Sequence, residues 1–380
     1  MNDDNVLLVF PSAFSANSKN MLMSSIIKKL ELEDMIVTKT ICEESCFVFK
    51  VNDPVEAASN IQQLFGIDRV AIAKQVPNIF SHIVSSIVTA GKQIILPKEK
   101  FFIKVEKSSE ANVDYVGRDI AFVSCGDLIE QLASIGAHLA KNEYDADKII
   151  LSYIGRDYGY TCIQIDKAFG GMPFGYQNEK VSCSIHNVLS TISSLIAIKS
   201  GFMPELLILY ADSDELIENV KLFGHIADRM SIKRHNLRIS QIELPDDLDQ
   251  GLKVMLKESI STQILIQLPR KGVVLPLSVT VYPSWFVEST MRKIILARKT
   301  PWMPLMLLTD EIQHTAKVLG LDEKLLSIDN FLGSGMVFKK NEYKKHLRKV
   351  DILSKKAMKN MRTISLKVGP NYLHDIIDAI

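Results

Sequence analysis

The sequence predicts a multidomain chain: two small α+β units, then a larger doubly wound, mainly parallel α/β unit. Three observations carry that expectation. Residues 1–76 run strand, helix, strand, strand, helix, strand. A hairpin closes a second α+β stretch, and after a glycine-rich connector strands and helices alternate one for one. Apolar residues make up 47% of the 380 and charged residues 23%, a globular balance. At about 150 residues per domain the length calls for two or three units.

The elements follow in order. VLLVF (6–10) is a strand, and Met21, Met23, Ile26, Ile27 and Leu30 give residues 18–30 one apolar helical face. MIVTKT and CFVFKV are strands around the polar turn Glu43-Glu44-Ser45. Pro54 opens the next helix, where its missing N–H costs nothing, and RVAIAKQV closes a βαββαβ, ferredoxin-like unit over 1–76. The second unit, 77–169, holds a helix over 79–90, the strand KFFIKVEK and one or two helices between 119 and 141. The strands KIILSYIG and YTCIQIDK complete it, joined through Gly155–Gly159. The third, 170–380, follows the connector Gly170–Gly175 with strands at KVSCSI, ELLILY, LRISQIEL, QILIQL and VLPLSVTV. Helices are expected up to Ser200, over 215–230, 248–258, 287–297 and 310–319, and from about Lys340.

No apolar run reaches the roughly 18 residues of a membrane span, and the acidic start Met-Asn-Asp-Asp is unlike a secretion signal. A cytoplasmic protein without a membrane partner is expected. Five cysteines, at 42, 46, 125, 162 and 183, read as reduced thiols rather than as a disulfide framework. The net charge of +1 conceals a basic segment: from Lys339 to Arg362 there are ten Lys or Arg against Glu342 and Asp351, a local +8. Such a stripe on a near-neutral body marks a polyanion partner, the alternative being a solvated helix face.

The strand 181–185 runs into a helix opening near Val188, the frame of a nucleotide-binding turn. Backbone amides ring a phosphate when the chain approaches closely and adopts positive φ, which glycine does freely. Here the turn reads Ile185, His186, Asn187, Val188, Leu189, Ser190, with branched residues where glycines would serve. Cys183 and His186 stand three apart, but Cys183 lies within an apolar strand and reads as a core thiol rather than as half of a nucleophile pair. Cys42 and Cys46 lack a second pair at zinc spacing, and the eight histidines form no HxH or HExxH grouping, so no metal is expected. Asp212, Asp214 and Glu215, like Asp246, Asp247 and Asp249, precede helices and read as caps. Trp285 and Phe286 are read as packing residues in preference to a base-stacking platform.

With these stretches in place the chain resembles the tRNA 4-thiouridine synthetase, or tRNA sulfurtransferase, family over nearly its full length. FFIKVEKSSEANVDYVGRDIAF is similar to the core of a THUMP domain, AFGGMPFG to the following linker, and VSCSI to the first strand of a PP-loop ATP-pyrophosphatase domain. FVESTM and PLMLLTDEIQHTAKVLGL match later segments of that domain. The resemblance implies tRNA as partner and, in active members, ATP and a sulfur-carrying cysteine. The departures fall on the chemistry. The family's Ser-Gly-Gly-x-Asp-Ser is Ile185 to Ser190 here, and its Gly-Glu-x-x-Gly is Val281, Tyr282, Pro283, Ser284, Trp285. Its sulfur-carrying cysteine aligns with Leu332, and no cysteine follows Cys183.

The expectation is therefore a tRNA-binding, catalytically silent relative with no catalytic residue, cofactor or metal, in an architecture compatible with a homodimer. RNA-phosphate contacts are assigned to Lys104, Lys107, Arg118 and Arg156, and to Lys339, Lys340, Lys344, Lys345, Arg348 and Lys349. In a helix Lys340, Lys344 and Arg348 share a face, with Lys345 and Lys349 beside them. Two alternatives are an active ATP-dependent enzyme with an altered loop, and an interaction protein that has lost RNA binding.

Overall fold

The computed structural model describes residues 5–245, 248–323, 325, 339–367, 373–374 and 376. They form two compact units, Met1–Gly171 and Met172–Ile380. In the first, β1 (Asn5–Pro11), α1 (Lys19–Leu32), β2 (Val37–Cys42), β3 (Phe47–Val51), α2 (Pro54–Ile61) and β4 (Ile67–Pro77) realise the expected βαββαβ order. Asp53 starts α2 by accepting from the amides of Val55 (3.0 Å) and Glu56 (3.1 Å), with Pro54 at the position that needs no donor. Then come α3 (Phe80–Ile94), β5 (Lys100–Lys107), α4 (Gly117–Leu132), β6 (His138–Leu139), β7 (Lys148–Ile154) and β8 (Tyr158–Gly170).

One eight-stranded sheet, β2-β3-β1-β4-β8-β7-β5-β6, runs through this unit, because β4 and the long β8 pair antiparallel along their length. Alternation along β1 puts Leu7 and Val9 into a core with α1 and α2, and Val6, Leu8 and Phe10 into another with Tyr153 and Tyr160. A third core lies between α3, α4 and the strands β5 and β7. At the β7–β8 hairpin, a Cβ on Gly155 would lie 2.6 Å from the carboxylate of Glu43, which accepts from the Arg156 amide at 3.0 Å. Any side chain at this position would force the buried Glu43 carboxylate to shift.

The second unit contains β9 (Lys180–Ile185), α5 (Val188–Lys199), β10 (Met203–Tyr210), α6 (Ser213–Ala227), β11 (Arg234–Gln241) and α7 (Gln250–Gln267). It continues with β12 (Gly272–Val274), α8 (Ser284–Leu296), β13 (Thr300–Trp302), α9 (Asp310–Val318), α10 (Lys340–Asn360) and β14 (Arg362–Lys367). The sheet order is β13-β12-β9-β10-β11-β14, parallel except where β14 closes the edge antiparallel to β11. Leu206 to Leu209 of β10 are fully buried, as a strand covered on both faces requires.

Two expected strands are corrected. QILIQL is the end of α7, where Ile264 and Leu265 continue the buried face of Met255, Leu256 and Ile260. A short apolar run has no periodicity that separates a buried strand from a buried helix. Of VLPLSVTV only Val274 is in a strand; the rest is irregular chain that buries Leu275, Leu277 and Val281 without pairing as a ladder.

Asp212 and Asp249 cap α6 and α7, accepting from the amides of Glu215 (2.9 Å) and Leu252 (2.8 Å). Asp246, Asp247 and Leu332 lie outside the described residues. All five cysteines are free. Burial pushes the Cys162 and Cys183 thiols up to about 12, so both are core groups rather than nucleophiles. Labelling the native protein with a maleimide is expected to modify exposed Cys42 fast and half-buried Cys125 slowly. Cys46, Cys162 and Cys183 should react only after denaturation, and native-state labelling of Cys183 would contradict the packing. Among the described residues no group of three or more His, Cys, Asp or Glu is placed to hold a metal, and no helix is long and apolar enough to cross a membrane.

Candidate functional site

The turn between β9 and α5 uses its own side chains to satisfy its backbone. Asn187 caps α5, accepting from the Ser190 amide at 2.8 Å. The Ser190 hydroxyl returns the contact, accepting from the amides of His186 (2.9 Å) and Asn187 (3.1 Å). None of Ile185 to Ser190 has positive φ, so the amides are not ringed outward as a phosphate nest requires. Ile185, His186, Val188, Leu189 and Ser190 are buried, and Asn187 is half-exposed.

What meets the turn is a carboxylate. Glu258 of α7 is 1% exposed, and its Oε1 accepts from His186 Nε2 (2.8 Å), Asn187 Nδ2 (3.2 Å) and Tyr282 Oη (3.1 Å). The adjacent Lys257 donates to the His186 carbonyl at 3.3 Å and pairs with Glu215. Burial lowers the Lys257 pKa to about 8, with Glu258 and Asp212 pulling it back upward. Burial also pushes the Tyr282 hydroxyl well above its ordinary range, reinforced by the Glu258 charge, so it serves as a donor. Glu258 Oε2 and His186 Nδ1 are buried without hydrogen-bond partners.

Sequence reasoning named His186, Asn187 and Tyr282 but not Glu258 or Lys257. Glu258 lies 72 positions from His186 and 24 from Tyr282, so no local spacing joins them. The available signal was a lone acid among Met255, Leu256 and Ile260 on an apolar helix face, where an unpaired charge is costly.

Helix α10 turns Tyr343, Val350, Ser354 and Ala357 inward. Its solvent arc carries Lys344, Lys345, Arg348, Lys349, Lys355, Lys356 and Lys359, all exposed. Lys356 pairs with Glu243 (2.7 Å), and Lys339, just before the helix, lies 3.4 Å from Glu342. Lys340 sits over the Trp285 ring at 5.7 Å, and Trp285 packs on Tyr343 at 5.6 Å. Phe286 is fully buried, stacked on Tyr282, so it packs rather than offers a platform for a base.

The other proposed RNA contacts stand differently. Lys104 pairs with Glu143 (2.9 Å) at a cleft of about 620 Å³ that also contains Arg69, Lys148 and Asp147. Lys107 donates to the Tyr115 and Val113 carbonyls (3.1 and 3.4 Å), and Arg156 pairs with Glu110. Arg118 is exposed at the start of α4.

No protein-family model matches the sequence. A probable tRNA sulfurtransferase of Methanosarcina mazei is 24% identical over 202 residues, which is 53% of this chain and 48% of that protein. The chain thus spans about half the length of the curated relative it matches. The crystal structure of a 4-thiouridine synthetase–RNA complex with bound ATP matches at a TM-score of 0.65 and 12% identity, over 95% of this chain and 99% of that one. This chain shares the fold of that 4-thiouridine synthetase structure. PH1313 from Pyrococcus horikoshii Ot3 matches at a TM-score of 0.63 and 18% identity, over 83% of this chain and 100% of that one. The resemblance to tRNA sulfurtransferases read from the quoted motifs is borne out by these matches, as is the multidomain α/β class.

Proposed function

We propose that this chain is a cytoplasmic tRNA-binding relative of the tRNA sulfurtransferases whose ATP chemistry is gone. Its ferredoxin-like, THUMP-like and ATP-pyrophosphatase-like parts are assigned to 1–76, 77–169 and 170–380. The observation that carries the reading is the Glu258 carboxylate seated against the turn from Ile185 to Ser190. A phosphate oxygen brought to the turn would be repelled by this carboxylate and would find the side-chain donors of His186, Asn187 and Tyr282 already taken by it. The amides of His186, Asn187 and Ser190, which could have offset that repulsion, are already bonded within the turn. Residues 184–380, where the resemblance places the sulfur-carrying cysteine, contain no cysteine. RNA capture remains, supported by the cationic arc of α10 and by the similarity to a probable tRNA sulfurtransferase.

Electrophoretic shift of tRNA at two salt concentrations tests the capture, since phosphate-driven binding weakens steeply as salt rises. Complexes at low salt that dissociate at high salt are expected, whereas no complex at either would leave an interaction protein without RNA. ATP is expected to leave the melting temperature unchanged. An active enzyme would instead gain about 2.7 kcal/mol at a hundredfold excess over its dissociation constant. Light scattering of the complex then decides between one copy and a homodimer on the RNA.

A further inference from the structure

We infer that the N-terminus of α5 remains an anion site and that its occupant is the chain's own Glu258. The inference deepens the proposed reading and rests on it for the identity of the displaced ligand. Three donors from two stretches of chain, His186 and Asn187 in the turn before α5 and Tyr282 in the irregular segment before α8, converge on one oxygen of a fully buried carboxylate. The positive end of a helix favours such a charge, and Lys257 adds a cation beside it. The second oxygen, Oε2, is buried with no partner. The pocket therefore grips one anionic oxygen and leaves the rest of the group unsatisfied, an arrangement that a phosphate oxygen or a small free carboxylate can reproduce.

Removing the side chain should uncover that preference. Glu258→Ala leaves three donors aimed at a vacated, buried volume, and unpaired buried donors are costly. The melting temperature of this variant in chloride is expected to fall by about 10 °C. Acetate or inorganic phosphate should restore roughly 5 °C at saturating concentration, while the wild-type protein gains nothing from either. Glu258→Gln keeps the shape and an accepting oxygen but removes the charge, and is expected to lose stability with no response to added anions.

Should Glu258→Ala not fold in chloride, its refolding yield in acetate against chloride gives the same comparison. Equal response of the Ala variant and wild type to the anions, equal refolding yields, or a Gln variant as stable as wild type would each overturn the inference. A wild-type response to ATP would instead sink the proposed function, so the two failures are separable.

Discussion

Reversing four charges on α10, with Lys344, Lys345, Arg348 and Lys349 all changed to Glu, is expected to lower tRNA affinity at least about a hundredfold near 0.1 M salt. These side chains are exposed and stand on the arc opposite the buried Tyr343, Val350 and Ala357. The substitutions therefore leave the packing of the helix intact. Each phosphate contact removed should reduce the slope of log affinity against log salt by about 0.7 to 0.9, so the quadruple variant should flatten it by about three. Fluorescence anisotropy over a salt series measures both quantities. The paired change Lys104→Glu with Arg156→Glu is expected to do less. Lys104 and Arg156 already face Glu143 and Glu110, so part of their field is spent within the protein. A larger loss from that pair than from the α10 quadruple would move the RNA to the first unit.

Acid should destabilise the second unit through His235. This residue of β11 is buried, its Nε2 has no hydrogen-bond partner, and its ring lies 6.0 Å from that of Phe223. Burial lowers its pKa from 6.5 to about 4, with Glu205 opposing the shift. The folded protein thus keeps the imidazole neutral where the unfolded chain takes up a proton. The associated stability is fully present above pH 6.5 and is lost as pH falls toward 4, with a limit of about 3 kcal/mol. By pH 5 the loss is about 2 kcal/mol. His235→Leu fills the same buried space with an apolar side chain of similar size and removes the titration. Urea denaturation of both proteins at pH 7 and pH 5 isolates the term, because carboxylate contributions cancel in the difference. A histidine variant no less sensitive to acid than wild type would show that the ring finds a partner or solvent on protonation.

The legible and illegible parts of this chain divide along a physical line. Pro54, Asp212 and Asp249 announced helix starts because a first-turn proline and a cap act between near neighbours. ELLILY and KVSCSI announced strands because they are bounded apolar runs flanked by helical periodicity. QILIQL failed because a six-residue stretch with four apolar residues suits either element, and its assignment waited on what α7 packs against. β14 was missed because only Leu366 of its six residues is buried; an edge strand is defined by the ladder it joins.

At the turn, the residue types from Ile185 to Ser190 sufficed to say that no glycine nest could form there. They suggested hydrocarbon in front of the strand. The group actually facing the turn's polar atoms is the Glu258 carboxylate, brought from 72 residues away by the packing of α7 beside β9. Local chemistry, meaning caps, periodicity, charge density on one helix and missing glycines, acts over a few residues and is written in the order of the amino acids. Which acid neutralises which donor depends on elements far apart in the chain arriving at one point, and only the folded packing decides that.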